Sequence, residues 1–247
     1  MTTTKTLYED RKDEIEFYYQ VLFDVMSHEP HNVNIDNISS RAKIKTKDDS
    51  RFIRIMKSNF LVMLYNLIES CVKKAFEEVY EILESENISY VQASYALRDI
   101  WSNYEISHAQ QANAKEETYG NRVKNIIERV ISNAPVVLSK KVIETMASGN
   151  LDARKIRELL KKHDINFVET NEGDKHRILI VKTKRNSLAH GDESFDEAAR
   201  NLTLEDLKNI KCDVLVFIDD ALRAIAQYYD DKLYRNDVAS RNREAVS

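Results

Sequence analysis

Apolar residues recur at helical spacing along most of the chain. In residues 5–28, Leu7, Ile15, Tyr18/Tyr19, Leu22 and Met26 fall near a 3.6-residue period, and Val21, Phe23 and Val25 widen the stripe. Pro30 marks the end of that helix. A second pattern starts at Phe52 and runs through Ile55/Met56, Phe60, Met63/Leu64, Leu67/Ile68, Cys71, Ala75, Val79 and Ile82/Leu83. It spans about nine turns, can be capped by Asp48, Asp49 or Ser50, and is broad enough to be contacted on more than one side. A third helix, capped by Asn87 or Ser89, places Val91, Tyr95, Leu97, Ile100 and Trp101 on its apolar side. Shorter helices follow at 119–132, 139–147 and 152–163, the last capped from a turn at Gly149–Asp152. The final long helix opens at Thr203-Leu204-Glu205-Asp206, close to a capping box, and runs to about Leu233.

The intervals between these patterns are polar. Residues 29–48 are Asn-rich and aperiodic and read as a long loop, with a short strand or turn at 33–38. Residues 102–118 read as a polar excursion, loop or weakly helical, with His108 solvated; 165–174 read as an extended piece with a turn at Gly173, and 194–202 as a linker. Residues 1–234 are thus expected to form one helical domain, with 235–247 a frayed tail. Only four Gly and two Pro occur in 247 residues, too few for turn-rich β or α/β folds, which strengthens the all-α reading.

Composition removes several function classes. Cys71 and Cys212 each sit in an apolar helical pattern and read as core thiols. The chain has no CxxC, HExxH or His-x3-His spacing, so neither a metal site nor a cofactor is expected. No apolar run approaches the roughly 20 residues that span a bilayer. The first residues lack the apolar core of a signal peptide, so no membrane association and a cytoplasmic location are expected. Net charge is −4, but it is unevenly spread. Residues 151–190 carry ten Lys/Arg against six Asp/Glu, and residues 191–231 carry four against eleven. The helix at 152–163 is basic on its outer faces, through Arg154, Lys155, Arg157, Lys161 and Lys162, as suits either an RNA-facing arm or a solubilised cover.

The sign changes at Lys184-Arg185-Asn186-Ser187-Leu188-Ala189-His190-Gly191. Ile178-Leu179-Ile180-Val181 just before it could start a strand. Steps of three and four from Leu179 through Lys182/Thr183 and Asn186 to Ala189/His190, closed by Gly191, favour a helix over 175–190. On it Arg185 and His190 lie about 140° apart, at about 100° per residue. Asn66 and Glu69 interrupt the apolar pattern of the second helix, either as the exposed polar residues that any long helix carries or with one of them pointing toward this pair. Arginine holds phosphate oxygens through parallel hydrogen bonds, and histidine exchanges protons near neutral pH. Spacing alone is weak: sixteen Arg and six His supply roughly 0.4 such pairs by chance, and a basic helix end stopped by glycine fits the same residues.

The whole string RNSLAHG, set between two long helical patterns, resembles the HEPN superfamily of small helical nucleases and nucleotide-binding proteins. The longer string KRNSLAHGDESFDEAAR is similar to the MAE_28990/MAE_18760-like branch, associated with bacterial toxin and phage-defence loci, and LYNLIES looks like that branch's second helix. The resemblance implies an all-α HEPN-like bundle with long antiparallel core helices and inserted shorter ones. It also implies a metal-independent endoribonuclease, working as a homodimer whose two motifs share a cleft, with a possible antitoxin or defence partner. In that scheme His190 is the acid or base, Arg185 clamps the phosphate, Asn186 bonds it or orients a neighbour, and Lys182 and Lys184 recruit the RNA backbone. Asp192 or Glu193, if near His190, would favour its charged form. The Tyr that some HEPN toxins carry two residues after the His is absent here, where Asp192 stands. Other HEPN domains only dimerise or bind nucleotides beside a partner protein. Two motifs facing one basic cleft would favour the enzyme; Arg185 locked to Glu69 would favour such a module.

Overall fold

A computed structural model describes residues 1–27, 49–111, 116–147, 151–170 and 175–238. Its helices are α1 (Thr2–Ser27), α2 (Asp49–Ser85), α3 (Tyr95–Gln111), α4 (Glu116–Ile131), α5 (Lys140–Met146), α6 (Ala153–Lys162), α7 (Lys175–His190) and α8 (Leu204–Asp230). The fold is all-α. The described residues form no strand, only isolated bridges between Ser89 and Pro135 and between Ala93 and Arg235. The loop expected at 29–48, the turns at Gly149 and Gly173 and the last residues of the tail lie outside the described residues.

α2 is the axis. Its apolar positions occupy most of its circumference, and from Met56 to Tyr80 only Asn66 is exposed. α1, α5, α7 and α8 all pack on it. α1 runs antiparallel to it: the Thr4 amide donates to Glu78 at 3.0 Å, and the Tyr18 hydroxyl to the Met56 carbonyl at 3.1 Å. α7 and α8 pack together, with Arg177 of α7 donating to Asp213 of α8 at 2.8 Å, and α6 covers both. α8 begins with the expected capping box between Thr203 and Asp206.

Three expectations are corrected. The third helix begins at Tyr95, not near Asn87. Asn87 turns left-handed (φ 52°) and the following segment bridges to Pro135 and Arg235, which leaves Val91 and Tyr95 exposed. Of the two forms expected for the polar stretch from 102, the helical one holds as far as Gln111, and helix resumes at Glu116; these two helices, α3 and α4, pack on each other, so polar faces cost them little. Cys71 is buried but Cys212 is exposed on α8 and is no core thiol. The tail does not fray from 235, because the Asn236 amide donates to the Gln92 carbonyl at 2.8 Å and Arg235 reaches Glu86 at 3.5 Å.

α7 ends by a Schellman motif. The Asp192 amide donates to Ser187 O at 2.9 Å and the Gly191 amide to Leu188 O at 3.4 Å, with Gly191 at φ 78°. A side chain at 191 would meet no neighbour, so the cost of adding one is the backbone conformation alone. Gly191→Ala is expected to lower stability by about 1–2 kcal/mol, and Gly191→Asn by less, in urea unfolding.

His163, at the end of α6, is fully buried between Phe76 and Tyr80, with ring centroids 4.3 and 5.8 Å away. Leu159 O can only accept, so Nδ1 donates to it at 2.7 Å, and Nε2 accepts from the Tyr80 hydroxyl at 2.7 Å. That arrangement fits the neutral ring, and burial pushes its pKa down to about 4. Between pH 6.5 and 4 the unfolded chain binds a proton at this residue and the folded chain does not. Stability is therefore full above about pH 6.5 and falls, by about 3 kcal/mol from this residue, as pH drops to about 4. His163→Gln should flatten that part of the pH dependence of urea unfolding.

Candidate functional site

α7 is helical over Lys175–His190, as its spacing favours. Ile178 and Val181 are buried, and Leu179, Thr183, Ala189 and His190 are exposed. Arg185 follows Val181 by four residues, so it shares the core-facing stripe and is held half-buried against α2. His190, about 140° further round, faces solvent in the last turn. The two candidate side chains therefore differ in kind: one is fixed by packing, the other is presented.

α2 supplies the cradle for Arg185. The guanidinium lies 4.5 Å from the ring centroid of Tyr65, a fully buried residue whose hydroxyl accepts from the Leu151 amide at 3.3 Å. Nη1 donates to Asn186 Oδ1 at 3.1 Å, so Asn186 orients the arginine's fork. Nη2 stands 3.6 Å from Glu69 Oε2, beyond hydrogen-bond length. The other oxygen of Glu69 accepts from Lys73 at 2.5 Å. Of the two residues singled out on α2, Glu69 faces the motif and Asn66 points to solvent. Arg185 is held by cation–π contact and a neighbouring amide, and its ion pair with Glu69 is loose.

Both lysines assigned to recruit RNA have intramolecular partners. Lys182 donates to Asp152 at 2.7 Å. Asp152 also caps α6 through the Lys155 amide at 2.8 Å. Burial works to raise the Asp152 carboxyl; the bonds from Lys182 and the amide outweigh it and hold the carboxyl below its ordinary range. Lys184 donates to both oxygens of Glu193, at 2.7 and 3.1 Å. Glu193 thus turns back along α7 toward Lys184. The basic outer face of α6 is also partly neutralised, since Arg157 makes a bidentate pair with Glu169 at 2.5 and 2.8 Å and Arg154 pairs with Glu158.

The segment after His190 is tied to the first turns of α2. Ser58 Oγ donates to Phe195 O at 2.7 Å, Lys57 Nζ to Leu202 O at 2.6 Å, and Arg54 Nε to Asp196 at 2.6 Å. The Arg54 bond holds the Asp196 carboxyl below its usual range, and burial lowers the Lys57 ammonium. These three residues occupy one face of α2 at spacings of three and four. Sequence reading did not single out Tyr65, Lys73 or this clamp. The signal was present: Tyr65, Glu69 and Lys73 repeat at intervals of four, so an aromatic ring, a carboxylate and an ammonium lie in one row.

Among the described residues no cluster of three or more His, Cys, Asp or Glu could hold a metal, and no helix is long and apolar enough to cross a membrane. No curated protein and no solved structure matches the chain. The family model described as HEPN_MAE_28990-like HEPN matches residues 10–234, which take in the cradle, the motif helix and the clamp. A match over most of the sequence makes this chain a member of the MAE_28990-like HEPN family.

Proposed function

We propose that the protein is a metal-independent endoribonuclease of a bacterial toxin or phage-defence system, with Arg185, Asn186 and His190 at its centre. The observation that carries the reading is the division of labour on α7: Arg185 is held over Tyr65 with its fork steadied by Asn186, and His190 is exposed one and a half turns on. In the reaction a 2′-hydroxyl gives up its proton and attacks the adjacent phosphorus. The bond from phosphorus to the 5′-oxygen breaks, and that oxygen takes a proton. The products are a 2′,3′-cyclic phosphate and a 5′-hydroxyl. His190 serves as the base or the acid, and Arg185 stabilises the charge that grows on the non-bridging oxygens. One copy supplies a single histidine, so a homodimer with two motifs in one cleft supplies both proton-transfer roles.

A second reading is a non-catalytic HEPN module that dimerises or binds nucleotides beside a partner protein. The Arg185–Glu69 pair, and the pairing of Lys182 and Lys184 with Asp152 and Glu193, favour it. The 3.6 Å separation and the prior commitment of Glu69 to Lys73 weigh against a locked arginine.

Cleavage of a labelled RNA pool in EDTA separates the two readings. Wild type should cut and leave cyclic phosphate ends. His190→Ala should lose about 10²–10⁴ in rate, the scale of positioned acid–base catalysis. Arg185→Lys keeps the charge but not the fork and should also fall by about tenfold or more. A folded, dimeric wild type that leaves all RNA intact would reject the enzyme in favour of the module.

A further inference from the structure

Glu69 lies between two cations. Its Oε1 accepts from Lys73 at 2.5 Å, and its Oε2 faces Arg185 at 3.6 Å. All three side chains are largely shielded, at 20% exposure for Glu69, 26% for Lys73 and 27% for Arg185. A carboxylate so placed, beside a guanidinium stacked on Tyr65, would draw that guanidinium into a charge-assisted pair if nothing else held it. Lys73 sits one turn further along α2, with Glu N-terminal to Lys at i,i+4, the favourable order for such a pair. The chain therefore places a competing cation on the only carboxylate paired with Arg185 among the described residues.

We propose that Lys73 is a positioning residue of the Arg185 site: it engages Glu69 and so keeps the Arg185 fork open to a phosphate. This rests on the reading of Arg185 as a phosphate clamp. Removing Lys73 leaves Glu69 with one cationic partner, and the arginine closes onto it. Removing the charge of Glu69 as well opens the fork again.

The test is a double-mutant cycle on the full chain with Lys73→Met, Glu69→Gln and the pair, plus Lys73→Arg. Binding is read by anisotropy with a short fluorescein-labelled 2′-deoxy oligonucleotide, which the proposed chemistry cannot cut, and cleavage is read in parallel with RNA. Lys73→Met should weaken oligonucleotide binding by roughly tenfold, the scale of one charge-assisted hydrogen bond, and lower kcat with it. Glu69→Gln alone should change binding by less than about threefold, and the double variant should return to near the wild-type value. Lys73→Arg should bind and cut like wild type. A simple effect of net charge predicts instead that the two single changes are equal, opposite and additive, and that outcome overturns the proposal. So does a Lys73→Met protein that binds like wild type, or a double variant that stays weak. Binding by wild type without RNA cleavage would reject the ribonuclease reading, while the binding cycle would still decide the role of Lys73. A wild type that binds no oligonucleotide overturns both.

Discussion

The fold depends on one constraint: α2 cannot be left in water. Its apolar residues lie on most of its circumference, so a helix of 37 residues must be covered on several sides at once. α1, α7 and α8 do this, and with α6 they form the body of the molecule. Every polar group on a covered face of such a helix needs a partner, because an unmade bond there costs about 1–3 kcal/mol. The partners are specific. Ser58 and Lys57 satisfy carbonyls of the segment after His190, and Arg54 takes Asp196. Farther along, Tyr65 and Glu69 meet Arg185. The motif is thus set by the polar interruptions in the helix that the core is built on.

This explains which parts were readable. The long helices and the start of α8 follow from period and capping chemistry, which are local, and Gly191 marked the end of α7 for the same reason. The start of α3 did not follow, because the segment from Ile88 to Ala93 is decided by bridges to Pro135 and Arg235, residues more than 40 positions away. The motif was legible as a string, but its partners were not. Nothing local distinguishes Glu69, which faces Arg185, from Asn66 three residues earlier, which faces solvent. Only the angular placement of α7 decides, and spacing along the chain does not supply it: the core-facing stripe runs through Ile178, Val181 and Arg185, while Leu179 is exposed. Cys212 illustrates the same limit, since an apolar pattern on both sides of a residue does not fix which way it points.

The charge balance of the motif region bears on how RNA would be engaged. The excess of Lys and Arg over residues 151–190 suggests a basic surface, yet Lys182, Lys184, Arg154 and Arg157 each face a carboxylate. These pairs are not equivalent. Lys182 bonds to Asp152, whose side chain is 8% exposed and which also caps α6. Withdrawing that lysine leaves a shielded carboxylate short of a partner, which is costly. Lys184 and Glu193 are about one third exposed, and a pair of that kind is worth at most about 1 kcal/mol. A phosphate can displace Glu193 from Lys184 at little cost, and it cannot so readily take Lys182 from Asp152. Of the two lysines that flank the motif, Lys184 is therefore suited to touch a polyanion, and Lys182 is suited to hold α7 against the start of α6.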